Sequence, residues 1–79
     1  MKDTLLTFIH VLVDHPDEVT IDERTDGDAA ILTIHTNPSD IGKVIGKSGR
    51  IIRALRDLMK VLAAKRNTYV DVEIAEETA

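Results

Sequence analysis

The 79-residue chain has no cysteine and no tryptophan, and its only aromatic residues are Phe8 and Tyr69. Without thiols there is no disulfide framework and no thiolate-bound metal. With so few rings, a surface built from several stacking platforms is excluded. No stretch approaches the roughly 20 apolar residues of a membrane span. The opening Met1-Lys2-Asp3-Thr4 carries one base followed at once by an acid. His10 and Asp14 break the apolar run behind it, so it does not read as a signal peptide. The reading is a cytoplasmic protein with no membrane partner. Its length predicts one domain over residues 1–79 with a modest core. A hydrophobic content of 43% and a charged content of 30% suit a globular fold with a soluble surface.

Acids are scarce where bases are dense. Gly42 to Arg66 holds Lys43, Lys47, Arg50, Arg53, Arg56, Lys60, Lys65 and Arg66 against one acid, Asp57, a formal charge of +7. The rest of the chain holds two bases and 13 acids, and the net charge is −4. A charge run is often no more than a solvated face. Here the bases gather around the loop Gly46-Lys47-Ser48-Gly49 of an otherwise acidic chain, which points to an anion such as a nucleic-acid backbone.

Periodicity orders the chain as follows. Over residues 3–14, Leu5, Leu6, Phe8, Ile9, Leu12 and Val13 recur at helical spacing, and Phe8 is assigned to the core. Pro16 ends this helix. Residues 18–24 and 29–36 alternate apolar and polar side chains, and Asp26-Gly27-Asp28 between them predicts an antiparallel hairpin. Asn37 and Pro38 start a helix over 38–45, with Asp40 placed to reach back to the cap. The loop is 46–49. A longer helix over 50–66 buries Ile51, Ile52, Leu55, Leu58, Met59, Leu62 and Ala63 and shows a mainly basic flank. A strand follows over 69–74, and 75–79 is a tail. The α-β-β-α-α-β order predicts a two-layer α+β sandwich.

Three phosphate-loop readings compete. A Walker loop needs four residues between its first Gly and the Gly-Lys-Ser, whereas Gly42 precedes Gly46 by three, and no buried parallel strand leads in. A dinucleotide fingerprint would need glycine at Val44 and a strand before the loop. A Gly-x-x-Gly turn between two helices fits. Its glycines let the backbone turn tightly and keep side chains away from a phosphate, and the next helix N-terminus favours the anion.

The frame Ile41-Gly42-Lys43-Val44-Ile45-Gly46-Lys47-Ser48-Gly49-Arg50-Ile51-Ile52 resembles the signature of KH domains. The whole chain, including the turn Val13-Asp14-His15-Pro16-Asp17-Glu18-Val19, resembles the small stand-alone bacterial KH proteins of the KhpA type. The resemblance implies a type II KH fold, a three-stranded mixed sheet with helices on one face. It implies single-stranded RNA as ligand, clamped by Gly46, Lys47, Ser48 and Gly49 with Lys43, Arg50 and Arg53 adding charge. Ile41, Val44, Ile45 and Ile52 would help line an apolar groove for the bases. It further implies RNA chaperoning, a homodimer, and pairing with a larger KH-containing RNA-binding protein. Poor cover of Ile31 by one chain agrees with self-association. The other class that fits is a protein-interaction module with weak RNA contact.

Nothing points to an enzyme. His10, His15 and His35 share no metal-ligand spacing, and no Ser-His-Asp order appears. No cofactor, metal or small-molecule substrate is expected. Tyr69, at the start of a strand, is assigned a structural role. The acids Asp22, Asp71 and Glu73 on the outer sheet face would repel phosphate, which leaves the helical edge by the loop as the binding surface.

Overall fold

The computed structural model describes residues 1–75. Of the expected tail only Ala75 falls within the described residues, and its N–H donates to Ile34 O at 2.9 Å.

The first helix, α1, spans Lys2–Leu12. Its wholly buried pair is Leu5 and Ile9, one turn apart. Asp3 lies in the first turn, where a negative charge complements the helix dipole. The helix stops before Asp14, the end expected from sequence. Val13 is extended (φ −102°, ψ 158°). The next two N–H groups, of Asp14 and His15, donate to the Asp40 carboxylate at 3.2 and 3.0 Å. A 3-10 turn over Pro16–Glu18 follows, so β1 begins at Thr20 rather than at residue 18, and runs to Asp26.

Strand β1 pairs antiparallel with β2 (Ala29–His35) across the two-residue loop Gly27-Asp28. Strand β3 (Tyr69–Ile74) runs parallel to β2, with Tyr69 opposite Ala29 and Ile74 opposite Ile34. The sheet is therefore mixed, in the order β1-β2-β3. Period-two alternation sends Ile21, Leu32, Ile34, Val70 and Val72 to one buried face. The other face carries polar pairs: His35 Nε2 lies 2.8 Å from Asp22 Oδ2, and Arg24 Nη2 lies 3.6 Å from Glu73 Oε2.

The segment 38–45 is not one helix. A 3-10 turn covers Pro38–Asp40, and a five-residue helix, α2, covers Ile41–Ile45. Asn37 caps the turn, its Oδ1 accepting from the Ser39 N–H at 2.9 Å. Asp40 does not reach back to that cap. It is fully buried and turned toward the exit of α1.

After a further 3-10 turn, Lys47–Gly49, the long helix α3 spans Arg50–Lys65 and buries Ile52, Leu55, Met59 and Ala63. These join Leu5, Ile9, Val44 and the inner sheet face in one core. Phe8 and Leu58, both assigned to that core from sequence, are instead 38% and 39% exposed. Each immediately precedes a fully buried residue, Ile9 or Met59, and so lies about 100° around its helix from the buried line. The apolar stripes of α1 and α3 are wider than the surface the sheet covers.

Candidate nucleic-acid interface

The loop is shaped by backbone conformation. Gly46 (φ 76°, ψ 172°), Ser48 (φ 58°, ψ 27°) and Gly49 (φ 71°, ψ 18°) all have positive φ. A Cβ on Gly46 would stand 2.6 Å from Ile51 Cγ1, so glycine is needed there for space as well as for angle. A Cβ on Gly49 would meet nothing within 4 Å. The Gly46 N–H donates to Gly42 O at 2.9 Å and the Gly49 N–H to Gly46 O at 3.1 Å. These bonds fold the chain back sharply into the N-terminus of α3, where the helix dipole favours an anion.

Lys47, Ser48 and Arg50 are exposed at this turn. Among the described residues, neither Lys47 nor Arg50 nor Arg53 forms an ion pair. Lys43 is different. Its Nζ lies 2.8 Å from Asp14 Oδ2 and 3.5 Å from Asp40 Oδ1, so its charge is already matched. The hydrogen bond to Asp14 is the main cause that raises the Lys43 pKa, against the opposing effect of desolvation. For Asp40, burial alone would raise the pKa. The N–H groups of Asp14 and His15, the His15 ring at 3.1 Å and Lys43 outweigh burial and hold the carboxyl below the usual range.

The four aliphatic residues expected in the groove divide into two pairs. Ile41 and Ile45 keep partial exposure beside the loop. Val44 has no exposed surface and Ile52 is buried, so both belong to the core beneath it. Ile31 is half-buried on the outer sheet face, and larger apolar exposure lies on the helices.

Helix α3 has two unlike flanks. Toward β3 it carries Arg53, Arg56 and Lys60 at helical spacing, and Arg56 Nε donates to Val72 O at 2.9 Å. Toward α1 it carries Ile51, Ala54, Leu55 and Leu58, which with Phe8, Val11 and Leu12 line a mainly apolar groove of about 360 Å³ that Arg50 also borders. Sequence reasoning missed this groove, the Asp40 network and the exposure of Tyr69, which is 70%. Among the described residues no group of three or more His, Cys, Asp or Glu could hold a metal ion, and no helix is long and apolar enough to cross a membrane.

A short helix, a Gly-x-x-Gly turn and a long helix, packed with a leading helix on one face of a β1-β2-β3 mixed sheet, define a KH domain of type II. The family model described as "KhpA/KhpB, KH domain" matches residues 2–74, and the chain belongs to this family. The RNA-binding protein KhpA of Clostridium acetobutylicum is 49% identical over 74 residues, covering 94% of this chain and 99% of the relative. Its counterpart of the same description in Chlamydia pneumoniae is 43% identical over 77 residues, 98% of this chain and 99% of the relative. That of Halalkalibacterium halodurans is 38% identical over 76 residues, 96% of this chain and all of the relative.

Proposed function

We propose that the chain is a single-stranded RNA-binding protein that grips the RNA backbone with the loop Gly46-Lys47-Ser48-Gly49. The observation that carries this reading is the loop itself. Three of its four residues have positive φ, its Lys47 and the adjacent Arg50 form no ion pair among the described residues, and it opens directly into the α3 N-terminus. Lys47 and Arg50 would take phosphate oxygens at the turn, and Arg53 would extend the positive edge. Ile41 and Ile45 would form the apolar wall against which bases lie, held from beneath by Val44 and Ile52. Lys43, already shared by two carboxylates, would contribute less. Unstacked bases are needed at such a wall, so single strands should bind better than duplex. The relatives' description as RNA-binding proteins supports the ligand. By family resemblance the wider role is that of a cytoplasmic RNA chaperone in post-transcriptional regulation, a binding protein rather than an enzyme, working as a homodimer or with a larger KH-containing partner.

The test is the double change Lys47→Asp and Ser48→Asp. Both side chains are exposed, and Asp tolerates the left-handed backbone of position 48 better than most residues. Stability should change by no more than about 0.5 kcal/mol. Binding should suffer far more, because two carboxylates would stand where phosphate oxygens sit, and such like-charge contacts cost several kcal/mol. At about 1.4 kcal/mol per decade, affinity for a single-stranded oligoribonucleotide should fall at least ~10- to 100-fold at fixed salt. A folded double variant that binds within about threefold of the parent would remove the loop from the site.

A further inference from the structure

At the end of α3 remote from the loop lies a recess of about 540 Å³, lined by Lys60, Ala64, Asn67, Thr68, Tyr69 and Val70. We propose that this recess is a second nucleotide subsite, where Tyr69 stacks one unpaired base of an RNA strand already held at the loop and Lys60 takes the neighbouring phosphate. The inference rests on the RNA-binding reading of the loop and adds a contact to it.

Its shape and chemistry argue for a base. Tyr69 is the chain's single tyrosine, and 70% of its surface is open to solvent although it begins a β-strand. An exposed ring offers a π-face to any base. The walls beside it, Ala64 and Val70, are apolar, whereas Asn67 and Thr68 bring polar groups that suit base edges. Among the described residues the side chains of Asn67 and Thr68 make no hydrogen bond, which leaves them free for a ligand. No acid lines the recess.

The recess is also built and connected. The turn that forms it is tied to the end of α3 by three backbone bonds. Arg66 N–H and Thr68 N–H donate to Ala63 O at 2.9 and 3.0 Å, and Asn67 N–H donates to Ala64 O at 3.1 Å. A site ordered in advance loses less entropy when a ligand binds. From the loop, Arg53, Arg56 and Lys60 step along the β3 side of α3, with Arg56 fixed on Val72 O at 2.9 Å. Asp57 is the only acid of α3. Ten residues of helix separate Arg50 from Lys60, roughly 15 Å along the axis. A strand that fills the loop clamp with about four nucleotides must extend further to reach Tyr69.

The chain has no tryptophan, so tyrosine emission reports on Tyr69 alone. Labelled oligoadenylates of four and ten nucleotides should be titrated into the parent protein, with emission corrected for absorption by the RNA. The ten-mer should quench the emission and the four-mer should bind without quenching. Tyr69→Ala should weaken ten-mer binding about tenfold, the scale of one lost stacking contact, and leave the four-mer unchanged. Tyr69→Phe should retain the ten-mer affinity, and Lys60→Glu should reduce it. Ten-mer binding that depends on Lys47 and Ser48 but leaves the emission and the Tyr69→Ala affinity unchanged overturns the subsite and spares the loop. No binding of either oligomer overturns both.

Discussion

Gly46 and Gly49 bound the same turn under different constraints. Gly49 needs only its left-handed backbone, since a Cβ there would meet no atom within 4 Å. Gly46 needs positive φ and the space now filled by Ile51, 2.6 Å from where its Cβ would stand. Gly49→Ala should therefore cost about 1–2 kcal/mol, the strain of a left-handed residue with a side chain. Gly46→Ala adds an overpacking cost of about 1–3 kcal/mol. Urea unfolding of the two variants checks this, and equal midpoints would show that the Ile51 contact does not matter. The spacing of these glycines is visible in the sequence, because it is local. The burial of Asp40 is not visible. Its partners, the N–H groups of Asp14 and His15, come from a segment about 25 residues earlier and reach it only through the fold. The exposures of Phe8 and Leu58 escaped notice for a related reason. Helical periodicity tells which side of a helix is apolar but not how much of that side the rest of the chain covers.

At the scale of elements, α2 is five residues long, too short to be stable on its own propensity. Asp40 ties its entry to the exit of α1, and Lys43 ties its middle to Asp14. The same ties explain where the boundaries depart from the sequence reading: α1 ends early so that its following N–H groups meet Asp40. The order of elements was legible because amphipathic stripes and alternation are strong local signals, whereas the ends were set by these distant contacts. The network makes a prediction about pH. The folded-state pKa of Asp40 is lowered, so its charged form stabilises the fold at every pH above the unfolded value near ~3.9. That stability is lost as pH falls from there through the folded value. Lys43 behaves in the opposite sense, contributing below about 10.4 and losing its contribution as pH rises through its raised folded value. Asp40→Asn should lower the melting temperature at neutral pH. It should also flatten the decline in stability as pH falls below the unfolded value, measured by denaturant unfolding across the acid range. Parallel curves for the parent and the variant would mean that another carboxylate governs acid unfolding.

On the whole molecule, charge and apolar surface are sorted to different sides of α3, apart from Arg50, which lines the apolar groove. The basic row runs beside β3, and the apolar groove opens beside α1. Val11 and Val61 are 81% and 55% exposed, and with Phe8 and Leu58 they give the helical side a patch that one chain does not cover. Contiguous apolar patches of a few hundred Å² mark interaction sites on soluble proteins. A homodimer joined through this groove would bury about 800 Å² on each chain if it is of standard size. It would leave Lys47 and the row Arg53, Arg56 and Lys60 open, while Arg50, which lines the groove, would border the interface. The sequence reading gave Ile31 as an example of poorly covered apolar surface and did not place an interface. The helices are the better candidate, because among the described residues Ile31 is half-buried between its cross-strand neighbours while Val11 is 81% exposed. Leu58→Glu combined with Val61→Glu should yield a monomer, since each chain would bring two carboxylates into a face that meets its own copy. A short oligoribonucleotide that fills one site should bind this variant as well as it binds the parent, because the loop is untouched. A long one that spans two sites should bind at least about tenfold more weakly, since two linked sites gain avidity that one site lacks. Light scattering at high micromolar concentration decides the first step: a parent protein that is already monomeric there rules out self-association through the groove.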